Sequence, residues 1–417
     1  MTVSNNASAA PEPQSVANFR AYLQINTMQP TPDYAGCMTF LRAQAAELDL
    51  PFREYSCVPG KPLGIITWTG RDPSLPSLLL NSHTDVVPVF EDKWTHPPFS
   101  AARVPIHKDG GSGEVADHHI FARGSQDMKI VGTSYIEAIR VLKQRGYTPL
   151  RTIHMVFVPD EEIGGKDGMK AYVDTDDFKA LNVGFALDEG IGNPGNAYKV
   201  FYGQRAVWWA KFTTTGKVGH GSQFIPDTAA SKLHNIINEL MAFREKQRVE
   251  LESSNGKMLL GDVTTVNLNM LQSGVQPNVV PATATAVFDI RITPRQDYHE
   301  FEQYLKKLAS DNDATLEFLD QNWGRTTVNC SSANPWWRVF QQISEETAIP
   351  LEAEIFPAAT DSRFLLEAGV QCLGVSPLRF VPVLLHDHDE YISENGFLEG
   401  LKFYERLIEE LGNVPAH

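Results

Sequence analysis

Five segments of this chain set acids or imidazoles at points where a buried strand would end. His83 and Asp85 follow LLLNS, Asp127 lies in ARGSQDMK, Glu161 and Glu162 follow MVFVPD, Asp188 and Glu189 follow VGFAL, and His386 follows VLL. Four of the five are apolar runs that stop abruptly. Strands with unbroken apolar character are covered on both faces, which favours a mainly parallel sheet flanked by helices. Charges gathered at the ends of such strands are costly to bury unless they are paired or coordinated. A pair of divalent metal ions is the simplest shared partner.

The segments between these strands support the same architecture. Met128, Val131, Tyr135, Ile139 and Leu142 recur at helical spacing, so a helix is expected to open at Asp127 and stop at Gly146. Strands are expected in GIITWTG, SLLLNSH, TIHMVFV and VGFAL, and the polar, Gly-rich stretch 108–119 reads as an exposed loop. In sheets of this kind ligands bind beyond the carboxyl ends of the strands. His83, Glu161, Glu162, Asp188 and Glu189 all lie at those ends.

The pattern changes near Trp208. WWAKFTTTG reads as a strand, DTAASKLHNIINELMAFREK as a helix capped by Asp227, and VTTVNLNML as a half-buried strand. ATAVFDIRI alternates, with Ala286, Phe288, Ile290 and Ile292 on one side and Asp289 and Arg291 on the other. A helix in DYHEFEQYLKKLAS and a strand in ATLEFLD complete a β-α-β-β-α-β order, a ferredoxin-like α+β unit. The expected class is thus α/β with an inserted α+β domain. A catalytic domain is formed by 1–205 and 320–417, and a lid and dimerisation domain by 206–319. At 417 residues, two domains are the ordinary expectation.

Composition narrows the function. A net charge of −15 disfavours nucleic acid, whose phosphates need a basic face. No apolar run approaches the ~20 residues that span a bilayer. The amino-terminal TVSNNASAAPEPQS lacks the basic and apolar regions of a secretory signal. The four cysteines, Cys37, Cys57, Cys330 and Cys372, form no C-x-x-C pair and read as free buried thiols. A reducing, cytoplasmic setting follows. Asp, Glu and His without clustered Cys suit zinc or another borderline divalent ion at a catalytic site. On residue type alone, either His386 or His388 can serve in HDHDE, and either Asp188 or Glu189 in ALDEG.

Together NSHTDVVP, ARGSQDMK, FVPDEEIGG, ALDEG and HDHDE resemble, in order and spacing, the zinc-dependent amidohydrolases of the aminoacylase, acetylornithine deacetylase and succinyl-diaminopimelate desuccinylase superfamily. WTHPPF, NPWW and PAATDSR are most similar to its aminoacylase subfamily. The resemblance implies two zinc ions bridged by Asp127. His83 and Glu189 complete one site, and Glu162 and His386 the other. It selects His386 over His388 and Glu189 over Asp188. It implies that Asp85 orients the His83 ring by accepting its second N–H, a common supporting role. Glu161, beside a ligand, is expected to act as general base. His220 in GKVGHGSQF is expected to bind the oxyanion of a partner subunit's substrate, which implies a homodimer. Asn278 and Arg291 are expected to hold the carboxylate of an N-acyl amino acid, with Arg363 a further candidate. Gly374 would let the backbone approach the substrate. The reaction expected is hydrolysis of N-acyl-L-amino acids, typically N-acetylated.

Other motifs do not hold. Gly190, Gly192 and Gly195 spell G-x-G-x-x-G, but Pro194 interrupts and no helix is expected to follow. Neither G-x-S-x-G nor H-E-x-x-H occurs. Trp336 and Trp337 read as packing residues. The rival readings are a di-zinc dipeptidase or carboxypeptidase on the same scaffold, and a non-catalytic binding member.

Overall fold

The structure, a computed structural model, describes residues 11–108, 110, 114–324 and 327–416. It gathers the chain into two compact units. The first comprises Met1–Val200, Val328–Ala353 and Thr360–His417, the second Phe201–Thr327 and Glu354–Ala359.

The fold is mixed α/β and built on a large sheet of eight strands. Near its middle lies Ser77–His83, in which every residue is buried. This strand runs parallel to Ile153–Val158 on one side and to Val183–Asp188 on the other. Gln371–Val375 continues the parallel set beside Val183–Asp188. Phe52–Val58 and Lys61–Trp68 form an antiparallel hairpin next to Ile153–Val158. Register decides what the strand ends share. His83 stands opposite Val158, Leu80 opposite Leu187, and Gly374 opposite Asp188. The carboxyl ends of these strands therefore lie at one level, and the acids and imidazoles that follow them emerge along one edge.

Lys129–Gln144 is the helix that covers the central strand, and it also packs against Gln14–Leu23 and Glu394–Gly412. It begins two residues after Asp127, so Asp127 sits in the preceding turn rather than in the helix. A β-carbon at Gly132 would stand 2.7 Å from Ser82 Oγ and 3.0 Å from Phe157, so only glycine lets the helix lie this close to the sheet.

The stretch 108–119 is not simply a loop. Val115–Phe121 is a strand, paired antiparallel with Ala102–His107 on one side and Tyr391–Ser393 on the other. Residues 109 and 111–113 of that expected loop lie outside the described residues. Its polar composition reflects a ribbon with exposed side chains, and pairing on both edges satisfies the backbone that composition alone suggested was free.

In the second unit an antiparallel sheet has the order Thr265–Ser273, Thr283–Ile292, Ala206–Thr215, Ala314–Gln321. The helices Ala229–Ser253 and Tyr298–Asp311 contribute to the same core. Thr283–Ile292 alternates strictly, burying Ala284, Ala286, Phe288, Ile290 and Ile292. The first helix is capped by Thr228, whose hydroxyl accepts the Ser231 N–H, and not by Asp227 as expected. Asp227 adopts φ +56° and turns the chain, which takes its side chain out of the capping position.

Trp208 anchors this core. It is fully buried, donates its indole N–H to the Asn322 carbonyl at 2.6 Å, and meets the rings of Tyr298, Phe301, Phe318 and Trp323. Trp208→Ala is expected to destabilise the second unit by about 3–5 kcal/mol. Equilibrium denaturation followed by a probe within that unit measures it, and a loss well under this range contradicts the anchoring role.

Candidate metal centre

The Asp127 carboxylate lies between two imidazoles, with one oxygen turned to each. Asp127 Oδ1 is 3.0 Å from His83 Nε2, and Asp127 Oδ2 is 3.4 Å from His386 Nε2. His83 Nε2 also lies 3.6 Å from Glu189 Oε2, and His386 Nε2 lies 3.1 Å from Glu162 Oε2. Potential ligand atoms of His83, Asp127 and Glu162 fall within 4.8 Å of one another, as do those of His83, Glu161 and Glu189. All of these residues belong to the first unit. His83, Glu161, Glu162 and Glu189 come together because the strands they follow end at one level, whereas Asp127 arrives from the turn before a helix and His386 from a loop, with no strand at the VLL run that precedes it.

Geometry also separates the neighbouring alternatives. Asp188 accepts from Asn81 at 2.9 Å and Thr360 at 3.1 Å, and so braces the strand end, while Glu189 faces His83. His388 lies edge-on to Phe90, while His386 faces Asp127 and Glu162.

Asp85 meets the His83 ring through its backbone and not its side chain. The acceptor nearest His83 Nδ1 is the Asp85 backbone carbonyl, at 2.9 Å, whereas the Asp85 carboxylate stands 3.7 Å away. That carboxylate instead accepts the backbone N–H groups of Glu161 at 3.1 Å and Glu162 at 3.2 Å, together with Gln29 Nε2 at 2.8 Å. It therefore holds the turn that presents both glutamates. The backbone carbonyl thus takes the ring N–H, and the side chain is left to satisfy the amides that follow the next strand end.

Two further supports escaped sequence reasoning. Asp160, at φ +63°, accepts from Gln29 and Tyr34 and pairs with Lys61. Glu390 is fully buried, pairs with Arg123 at 2.7 Å, and accepts the backbone N–H groups of Gly124 and Gln126 in the turn leading to Asp127. The acidic residues closing HDHDE and opening DEE were the only signals for these two, and neither motif names its partner.

Electrostatics test whether this donor set fits a metal. Burial raises Glu161 well above the usual carboxylate range, with Asp361 and Glu162 adding to it against His83 and Arg363. Burial and the Asp127 charge push Glu162 up to about 7. Burial and Asp127 likewise raise Glu189, against the attraction of His83. Burial opposes charge on Asp127, yet hydrogen bonds from His386 and His83 hold its carboxyl low. Hydrogen bonds to Asp127 and Glu162 push His386 up to about 10. Glu162 Oε1 is buried without a hydrogen-bond partner. The cluster thus holds more buried anionic capacity than its own cations neutralise, and it carries an open acceptor. Its donors are oxygen and imidazole nitrogen, which suit borderline divalent ions. The residues fit a metal cofactor.

The expected substrate residues divide between the units. Arg363 donates to the Gly164 carbonyl at 2.9 Å, just past Glu161 and Glu162, and its guanidinium lies over Phe364. Gly374 pairs with Asp188, next to Glu189. His220, Asn278 and Arg291 belong to the second unit. There the short ribbon of Gly219–His220 with Val279–Val280 brings His220 beside Asn278, whose carbonyl accepts the Gly221 N–H at 2.9 Å. Arg291 forms a two-point ion pair with Asp289 at 2.6 and 3.0 Å.

The sequence pattern described as peptidase family M20/M25/M40 matches residues 79–410. Aminoacylase-1 of Sus scrofa is 48% identical over 408 residues, covering 97% of each chain. The chain belongs to peptidase family M20/M25/M40, in its aminoacylase-1 branch. Aminoacylase-1 of Homo sapiens is 47% identical, again over 97% of each chain. An M20 family metallo-carboxypeptidase from Sulfolobus solfataricus shares the fold, with a TM-score of 0.73 at 17% identity over 96% of this chain and all of that one. This M20 chain is therefore a hydrolytic enzyme. Among its described residues no helix is long and apolar enough to cross a membrane.

Divalent metal must displace protons here. In the metal-free protein Glu162 and His386 hold protons below about 7 and about 10 respectively. Affinity for Zn2+ is expected to weaken as pH falls through about 10, where His386 takes its proton, and further through about 7, where Glu162 does, with protons released on binding. Zn2+ titrations at several pH values measure both, and an affinity independent of pH contradicts the ligand set.

Proposed function

We propose that this enzyme hydrolyses N-acyl-L-amino acids, typically N-acetylated, to a carboxylate and a free L-amino acid, using two zinc ions. The observation that carries the reading is the Asp127 carboxylate set between His83 and His386, in a chain that matches aminoacylase-1 along nearly its whole length. His83, Asp127 and Glu189 would hold one ion, and Asp127, Glu162 and His386 the other. When bound, such ions make water available as hydroxide near neutral pH and polarise a carbonyl.

The protein's own residues account for the proton traffic. Glu161 adjoins the ligand Glu162 and has potential ligand atoms within 4.8 Å of His83 and Glu189. Its carboxylate takes the proton that the attacking water gives up as oxygen bonds to the amide carbon. It then delivers that proton to the amide nitrogen as the C–N bond breaks. Burial raises its proton affinity, which suits a group that holds a proton between these two events.

A di-zinc catalytic domain is read in 1–205 and 320–417, around a mainly parallel sheet, bounds that differ from the first compact unit at 201–205, 320–327 and 354–359. The segment 206–319 is read as a ferredoxin-like lid and dimerisation domain. His220 would bind the developing oxyanion in the partner subunit's site, which makes the enzyme a homodimer. Asn278, Arg291 and Arg363 are the groups proposed for the substrate carboxylate, with Gly374 allowing close backbone approach. Asp289 occupies the Nε–Nη2 edge of Arg291 and fixes its plane, so a substrate carboxylate would have to meet the remaining Nη1–Nη2 edge. A cytoplasmic setting is supported by the free state of Cys37, Cys57, Cys330 and Cys372.

The rival substrate class is a dipeptide or a peptide carboxyl terminus. It differs only in what lies beyond the scissile amide, so N-acetyl-L-methionine and a panel of dipeptides separate the two. Higher kcat/KM on the dipeptides overturns the N-acyl reading.

Glu161→Gln is expected to retain fold and zinc while kcat falls by about 10²–10⁴. Turnover near that of the unaltered enzyme rules out the base assignment. Mixed His220→Ala and Glu161→Gln subunits are expected to recover activity absent from either variant alone, because one site of each heterodimer keeps both groups. Exchange of subunits without recovery excludes completion in trans.

A further inference from the structure

His386 differs from the other members of the centre. Its side chain is 54% exposed, whereas that of His83 is 1% exposed. It adopts φ +62°, a conformation that L side chains take only when their surroundings enforce it. Residues 382–390 around it form neither helix nor strand. The position of His386 therefore has to come from whatever holds this loop.

Gln126 is the side chain that does so. It is 2% exposed and immediately precedes Asp127. Its Nε2 donates to the Pro382 carbonyl at 3.0 Å and to the Tyr391 carbonyl at 2.8 Å. Its Oε1 accepts the Leu384 N–H at 3.0 Å. These three bonds grip the loop on both sides of His386, using both donors and the acceptor of one amide. Glu390, at the end of the same loop, adds a tie of its own: it pairs with Arg123 at 2.7 Å and accepts the Gln126 backbone N–H, so it fixes the loop end while Gln126 reaches the stretch on the other side of His386. A second clamp on the loop, Asp389 accepting from Thr95, lies at the exposed surface, where water competes for it.

We infer that Gln126 is a positioning residue that sets His386 against Asp127, and so governs how tightly the Asp127–Glu162–His386 site holds its ion without touching ion or substrate. The inference rests on the two-zinc reading above. A buried amide with all three bonds made acts as a strut between the turn that carries one ligand and the loop that carries the other. Groups that orient a metal ligand are typically worth 10–100-fold in affinity.

The test uses full-length protein stripped by chelation and titrated with Zn2+ alone, comparing the unaltered chain with Gln126→Met and Gln126→Glu. Methionine keeps the shape and removes every bond. Glutamate keeps an acceptor but sets a carboxylate against the Pro382 and Tyr391 carbonyls. The unaltered protein is expected to take two ions. Each variant is expected to keep one ion at unaltered affinity while the other loosens about 10–100-fold. The metal-free variants should still fold but unfold more readily, because the Pro382 and Tyr391 carbonyls lose their donor, and excess Zn2+ should restore kcat with KM unchanged. A folded variant that binds both ions like the unaltered protein overturns the inference. Equal weakening of both ions, or failure of both variants to fold, makes Gln126 a general structural residue and overturns it as well. An unaltered protein that takes fewer than two ions instead overturns the two-zinc reading itself, and this inference with it.

Discussion

Four carboxylates and one imidazole are gathered, buried or half-buried, at the edge of a sheet, and a second imidazole closes over them from an exposed loop. Asp127, Glu161, Glu162 and Glu189 all sit close enough to perturb one another. Such an arrangement is unfavourable alone, because burial opposes each charge and like charges add to it. Imidazoles relieve part of this at Asp127 and Glu162. Divalent cations would relieve the rest. The scaffold can be understood as what keeps these groups together despite their repulsion.

That task explains a set of polar residues buried far from bulk water. The Asp85 carboxylate, fully buried, holds the Glu161 and Glu162 amides. Glu390 and Arg123, both buried, fold the turn before Asp127. Asp160 ties Gln29, Tyr34 and Lys61 to the same turn as Glu161. Each buried charge finds its partners among backbone amides or an opposite charge, which is the condition for burial to be tolerable. Removing one such group would leave another uncompensated, so these supports constrain the centre as closely as the ligands themselves.

Fold likeness alone does not choose the substrate, since one scaffold hosts many amide-cleaving activities. The distinction lies in groups that meet the part of the molecule beyond the scissile bond. In the second unit a short ribbon aligns His220 with Asn278, and Arg291 is held by Asp289. In the first, Arg363 reaches the turn that follows the two glutamates. In the proposed reading, these are the groups that would meet that part of the substrate.

Much of this was legible in order along the chain. Apolar runs ending in His83, Glu161–Glu162 and Asp188–Glu189 announced strand ends that carry carboxylates and an imidazole, and the alternation in ATAVFDIRI matched its buried face in the structure. Both signals are local, because side-chain period and ligand type are written within a few residues. The tertiary structure alone decided who answers whom. It passed the His83 ring to the Asp85 carbonyl, gave the Asp85 carboxylate to two distant amides, made a paired strand of Val115–Phe121, and bound Gln126 to a loop more than two hundred and fifty residues away. Hydrogen-bond partners depend on which backbone groups remain unpaired once the strands have found their register, and that is a property of the assembled chain rather than of any segment of it.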